Sequence, residues 1–247
     1  MKDVLRILKN DRNWNYDSKL SKIILWTIII VGFVLVLISL CDVEYYKYLI
    51  NEDGIIEYAS ALFWFMGALV CICYLIYFPQ KSRVAITAYT LLLLFYVVCC
   101  GEEISWGQRI FHFQGPESII KINKQQELNI HDIGHISIFS NLFFLLFLAF
   151  FYFYPYLYAK KKKFNDFVKR NQLPFVSVQA IKVASATLII WFLIGIRFGT
   201  LGFHPFSIWG YYNQMDDEIF ECLAAFSYLS FSVIDFQIKK RLTNRST

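Results

Sequence analysis

The sequence predicts an all-α fold, a polytopic membrane helix bundle of six transmembrane helices with both termini cytoplasmic. Three observations predict it. Of the 247 residues, 57% are hydrophobic and only 17% are charged, with a mean hydropathy of +0.46; that balance is too apolar for a soluble domain of this size. The apolar residues collect in six runs, each close to the roughly 20 residues needed to cross about 30 Å of hydrocarbon. The basic residues collect in alternate loops, as the positive-inside rule requires.

The elements follow in order. Residues 1–22 (MKDVLRILKNDRNWNYDSKLSK) form a polar, basic arm. No small-residue cleavage site follows the first apolar run, so 23–41 reads as a retained helix and not as a signal peptide. The other spans are 55–78, 84–101, 137–159, 183–203 and 219–236. At this length only helices satisfy their own backbone in lipid. The membrane domain is therefore 23–236, and 237–247 is a second basic tail. Four of the five loops are short or moderate; the exception is the outer segment at about 102–136, and long loops with specific polar content are often functional.

Charge sets the orientation. The arm, 79–83, 160–182 and the tail hold 19 of the 24 basic residues, and six spans put all four on one side. Fourteen of the 19 acidic residues fall on the other. The inner excess orients the chain and meets anionic lipid, so no nucleic-acid partner is called for. The outer acidic excess is not required by orientation, because Asp and Glu contribute little to it. All six cysteines lie in or at the edge of spans, which fits small buried hydrophobes better than a disulfide framework.

The third span runs into G-E-E-I-S-W-G-Q-R, Gly101 to Arg109. Continued as a helix, it places Glu102, Ser105, Arg109 and His112 within roughly 80° of one another, with Ile104 and Phe111 opposite. Glu103 is the second carboxylate of the pair. Arg109 can engage a carboxylate bidentately. The same loop supplies Q-Q-E-L-N-I-H-D-I-G-H, Gln125 to His135. On a helix, Glu127, His131 and His135 share a face at i, i+4 and i+8, a spacing used by zinc-binding helices. In an extended segment, Glu127, Asn129 and His131 share one instead.

Two spans echo each other. D-G-I-I-E (53–57) and D-E-I-F-E (217–221) both read D-x-I-x-E, and Trp64 then matches Tyr228. Each puts a carboxylate, Glu57 or Glu221, about one turn inside a helix N-terminus, where the dipole favours it. Facing lipid it would still be expensive, so both are expected to face the bundle interior. Arg197 sits near the outer end of span five and calls for an anionic partner, with Glu57, Glu221, Glu102 or a ligand as candidates. Each group alone has a plainer reading: a solvated helix end, ordinary loop histidines, an arginine reaching head groups. Their convergence on one side points to a polar site open to the extracytoplasmic surface.

E-E-I-S-W-G-Q-R followed by N-K-Q-Q-E-L-N-I-H resembles a pattern, E-E-x-S-W-G-Q-R then N-x-Q-x-E-x-N-x-H, of a functionally uncharacterised family of bacterial multi-pass membrane proteins. The match runs through Glu102, Glu103, Ser105, Trp106, Gly107, Gln108 and Arg109, then Asn123, Gln125, Glu127, Asn129 and His131. The resemblance implies a bacterial inner-membrane protein and no particular activity. His135 lies outside the pattern, which favours Glu127 and His131 over a histidine pair. Similarity to membrane hydrolases of the alkaline ceramidase type is one of logic only, since the motifs do not align. The E-E-x-x-x-R signature of CAAX-type intramembrane proteases has a different spacing.

The first functional expectation is a membrane-embedded hydrolase or transferase acting on a lipid or lipid-linked substrate. Its catalytic groups would be Glu102, Glu103, Arg109, Glu127 and His131. Glu57, Ser105, Asn129, Arg197 and Glu221 would line the substrate, and a divalent metal, if used, would sit on Glu127, His131 and His135. Clustered carboxylates can divide acid and base roles. The alternatives are a proton- or cation-coupled transporter or channel, and a non-catalytic membrane component that binds a partner through the outer loop. Against the transporter, the acids lie near one surface, whereas transport sites usually lie at the midplane.

Overall fold

The computed structural model describes residues 18–51, 54–78, 81–123, 126–129, 137–198 and 214–244. Helix α1 (Lys19–Cys41) opens on a reciprocal cap between Ser18 and Ser21, each side chain accepting the other's backbone N–H at 3.0 Å. Asp42 then ends α1 and starts α2 (Val43–Ile50), its carboxylate accepting the Tyr45 N–H at 2.9 Å. Helix α3 spans Ile55–Tyr77, and α4 spans Arg83–Glu103 behind a Ser82 cap. Two short helices follow, α5 (Gln108–Phe111) and α6 (Glu117–Ile120).

Helix α7 (Ser137–Leu148) passes through a π-turn at Ala149–Phe153 into α8 (Tyr154–Lys160). Pro155 explains the turn: it has no N–H to give Phe151, and its ring crowds that carbonyl. One widened turn absorbs the mismatch and lets the helix continue. Helix α9 (Lys162–Asn171), α10 (Val178–Phe198) and α11 (Gln214–Thr243) complete the described chain. Among the described residues six segments are long and apolar enough to cross a membrane, in α1, α3, α4, α7–α8, α10 and α11. The all-α, six-span bundle expected from the sequence is the fold found.

Side-chain contacts sort the helix ends into two sets. At one end Ser82 donates to the Asn171 carbonyl at 2.9 Å, Tyr154 donates to the Pro174 carbonyl at 2.7 Å, and Lys240 sits over the Tyr77 ring. At the other end Tyr46 stacks on Phe198 at 5.1 Å, and Ser60 reaches Glu103. These are the basic and acidic ends that the loop charges predict.

Helix α11 is the axis of the bundle. It is the most deeply buried span, at 72% of its apolar window against 44% or less elsewhere. Aromatic side chains fill the space around it: Trp64 meets Tyr228 at 5.5 Å, Phe147 meets Phe220 at 5.5 Å, and Phe150 meets Phe231 at 4.8 Å. Such rings bury large areas and favour the edge-on or tilted geometry seen here. Trp64 and Tyr228, the matching positions of the two D-x-I-x-E segments, are direct neighbours.

Several boundaries differ from the sequence reading: α1 begins at Lys19 and not at 23, so the end of the expected arm is helix, and α11 begins at Gln214 and not at 219. Helix α10 begins at Val178, not at 183, because Ser177 caps it through the Ala180 N–H at 3.2 Å and Val178 and Ala180 are buried. Helix α11 does not stop at Phe236 but runs to Thr243, so the first part of the expected tail is helix. The extension carries a buried ion pair. Lys239 Nζ lies 2.6 Å from Asp235 Oδ1, donates to the Leu173 carbonyl at 3.0 Å, and also donates to the Tyr89 hydroxyl. Asp235 in turn accepts from Tyr89 and from the Phe175 N–H, the latter at 2.9 Å. A buried pair is tolerable only when its remaining donors and acceptors are used in this way. The pair ties α4, α11 and the segment at 173–175 together at the basic end.

Candidate functional site at the acidic end

Helix α4 closes at Ile104, and the chain then turns left-handed for three residues: φ is +46° at Ser105, +53° at Trp106 and +82° at Gly107. Non-glycine residues rarely occupy this region, and they persist only when their surroundings over-determine them. Here the restraints are visible. The Trp106 ring folds back over Gly101, where a Cβ would come within 2.9 Å of it. Its indole N–H donates to Glu102 Oε1 at 2.7 Å. Ser105, fully buried, donates to Glu127 Oε2. Gly107 takes the conformation that costs glycine least.

The turn overturns the expected continuous stripe. Glu102, Ser105, Arg109 and His112 do not share one helical face, because the helix ends between the first and second of them. His112 is exposed and closes the short α5. Instead the turn folds the loop back, so that Ser105 meets Glu127 across 22 residues.

The two adjacent carboxylates serve different neighbours. Glu102 faces the Trp106 indole, whereas Glu103 reaches into α3. It accepts from Ser60 Oγ at 2.7 Å and from Trp64 Nε1 at 3.3 Å. Glu57 is half-buried and lies on the same stripe of α3 as Ser60, Ala61 and Trp64, at i+3, i+4 and i+7. Glu221 heads the equivalent stripe of α11, followed by buried Ala224, Ala225 and Tyr228. Both acids therefore point along buried faces, as expected. Cys99 lies within the field of Glu103, Glu221 and Glu102, and Cys222 within that of Glu103 and Glu218. The acids of α4 and α11 thus gather at one level.

The loop over these groups is held by its own amides. Asn123 Nδ2 donates to the Asn129 carbonyl at 2.7 Å and to Asn129 Oδ1 at 2.5 Å. The Glu127 N–H donates back to Asn123 Oδ1 at 3.2 Å, and the Leu128 N–H donates to Gln108 Oε1 at 2.9 Å. Asn123 and Asn129 are both buried. Residues 126–128 are bends, with Gln126 at φ +59°. Glu127 itself is aimed by this side-chain network; the rest of the segment to His135, on which the helical and extended readings turn, lies outside the described residues.

Among the described residues Arg197 makes no ion pair with Glu57, Glu102 or Glu221. It is exposed on α10, with its guanidinium 5.4 Å from the Phe198 ring centre. Its place at the acidic end suits a chain that reaches the interface. Gln125, His131, His135 and His204 lie outside the described residues, as does the side chain of Arg109. Among the described residues, no three His, Cys, Asp or Glu groups are placed to hold a metal ion. All six cysteines are free thiols.

Ser60 and Trp64 were missed as site residues, and Trp106 and Asn123 were noted only within the resembling pattern, with no role assigned. Ser60 and Trp64 did carry a signal, since they follow Glu57 by one and two turns on a helix whose first-turn acid was singled out. Comparison with protein-family models, with curated proteins and with solved structures found no match.

Proposed function

We propose that this multi-pass membrane protein is an enzyme of a bacterial cytoplasmic membrane, a hydrolase or transferase acting on a lipid or lipid-linked substrate at the outer face. The observation that supports the reading is that two carboxylates are each held by their own donors on either side of a left-handed turn, Glu103 by Ser60 and Trp64, and Glu127 by Ser105. Strain of this kind clusters at functional sites, and carboxylates in different settings can serve as acid and base.

In this reading Glu127, with Ser105 as its donor, removes a proton from the attacking water or hydroxyl. Glu102 or Glu103 returns a proton to the leaving group. His131 assists as a second base or as a metal ligand. Arg109, and Arg197 from the interface, hold the anionic head group. Glu57, Glu221 and Asn129 line the polar end of the substrate. Elemental analysis of the wild type beside a Glu127→Ala/His131→Ala variant separates a metal-assisted route from a metal-free one: stoichiometric metal lost in the variant assigns ligands.

The function is tested by reconstituting the purified protein into vesicles of total bacterial lipid and following every lipid class by mass spectrometry. The wild type is expected to convert one class. Glu127→Gln should slow that conversion by about 100-fold or more, the lower range for loss of a general acid or base. No change in any lipid class would refute the enzyme reading.

A further inference from the structure

Helix α4 has two faces. Tyr89, Tyr96 and Glu103 recur every seven residues and face the bundle: both tyrosines are buried, and Glu103 meets Ser60 and Trp64 of α3. Leu94, Val97, Val98 and Gly101, at i, i+3, i+4 and i+7, form the opposite face. Leu94, Val97 and Val98 are exposed, and α4 is one of the membrane-crossing segments, so this apolar stripe meets lipid. Trp106 is laid on the same stripe. Its ring covers Gly101, where a Cβ would come within 2.9 Å of it, and Gly101 is buried although it lies on the outward face. The other side of the ring is exposed, while the indole N–H donates to Glu102 at 2.7 Å. Ile110, Phe111 and Phe113 follow within seven residues and are exposed as well, Phe111 to 76%. The Phe111 ring lies beside Gly107. Hydrogen bonds from Ser105 to Glu127 and from the Leu128 N–H to Gln108 fix the turn that carries these side chains.

We propose that the segment 106–113 is inserted into the lipid leaflet at the acidic end, with Trp106 at the level of the head groups and Phe111 among the upper acyl chains. Continuity picks the occupant. The Trp106 ring extends the exposed stripe of Leu94, Val97 and Val98, so the surface it adjoins is already in lipid at that depth. A ring with an apolar body and a bonded N–H is the side chain enriched at this level of a membrane. Four large apolar side chains in eight residues would keep a patch of the loop in contact with water, and the leaflet beside them removes it. Farther along, α6 carries the ion pair Glu117–Lys121 at 2.8 Å with both side chains largely exposed, and that part of the loop faces water. The insertion holds for any role of the loop and does not rest on the enzymatic reading.

The test places a photoreactive diazirine analogue of phenylalanine at Phe111 of the full chain in phospholipid vesicles. Leu94, on the lipid-facing stripe, and Glu117, on the charged part of the loop, are the reference positions. On illumination the carbene adds to whatever lies beside it, and mass spectrometry identifies the adduct. Phospholipid adducts at Phe111 are expected within about twofold of those at Leu94 and at least about fivefold above those at Glu117. Adducts at Phe111 that are mainly with water overturn the proposal. So do adducts with residues 130–136 or 199–213 of the same chain, which would make those residues the cover. Adducts with another chain also overturn it and assign the patch to an interface between copies. The analogue at Ile110 decides the matter if the Phe111 variant does not fold.

Discussion

At Gly107 a φ of +82° leaves any other residue strained, and the turn it completes brings Ser105 to Glu127. Gly107→Ala is expected to destabilise the protein by about 1–2 kcal/mol, the usual penalty for an L-residue held left-handed. Thermal unfolding in detergent measures it; an unchanged midpoint would mean that the turn is not held in this conformation. The residue scale is also where the sequence was most partly legible. Glu57, Glu103 and Glu221 could be read as inward-facing, because a carboxylate near a helix end in lipid has few other places to go. The partners of Glu102 and Glu127 could not be read. They depend on Trp106 doubling back over Gly101, a tertiary contact that overrides the helical period of the preceding span. A sequence stretch with a single internal glycine gives little warning of three consecutive left-handed residues.

At the scale of elements, the basic end depends on the buried pair in α11. Removing one partner leaves the other charge uncompensated, which costs about 3–5 kcal/mol in comparable pairs. Asp235→Asn and Lys239→Met are therefore each expected to lower the unfolding midpoint strongly. The double variant should be milder than the sum, since it leaves no orphaned charge. Additive losses in a double-mutant cycle would contradict the coupling. The signal for this pair was present in the sequence as D-x-x-x-K, one helical turn apart. It was obscured because Lys239 also fits the positive-inside count, and that count treats every basic residue beyond an apolar run as exposed. The early start of α10 was hidden for a similar reason. Its first turn contains Gln179 and Lys182, which depress local hydropathy, yet it is packed and capped by Ser177. The π-turn before Pro155 was not anticipated either: the fourth span was read as an uninterrupted helix through the proline, and the chain accommodates it by widening one turn.

For the whole molecule, the six spans and the opposition of basic and acidic ends follow from composition and from the alternation of charged loops, so they were legible at once. Which helix forms the axis was not, because α11 has the lowest mean hydropathy of the six spans, 1.5, and is nevertheless the most buried. Several of its polar side chains, Ser227, Ser232, Asp235 and Lys239 among them, hydrogen-bond inside the bundle, while the more apolar α1 faces outward, as lipid requires. In the proposed function chemistry occurs on one side only, at the acidic end where Glu102, Glu103 and Glu127 lie. The most direct measurement uses uniformly oriented protein in sealed vesicles, with lipid substrate supplied to one leaflet at a time and a Glu103→Gln variant run beside the wild type. Turnover is expected only from the leaflet at the acidic end, and it should be lost in the variant while the fold is kept. Turnover from the basic-end leaflet, or equal turnover in wild type and variant, would contradict the claim.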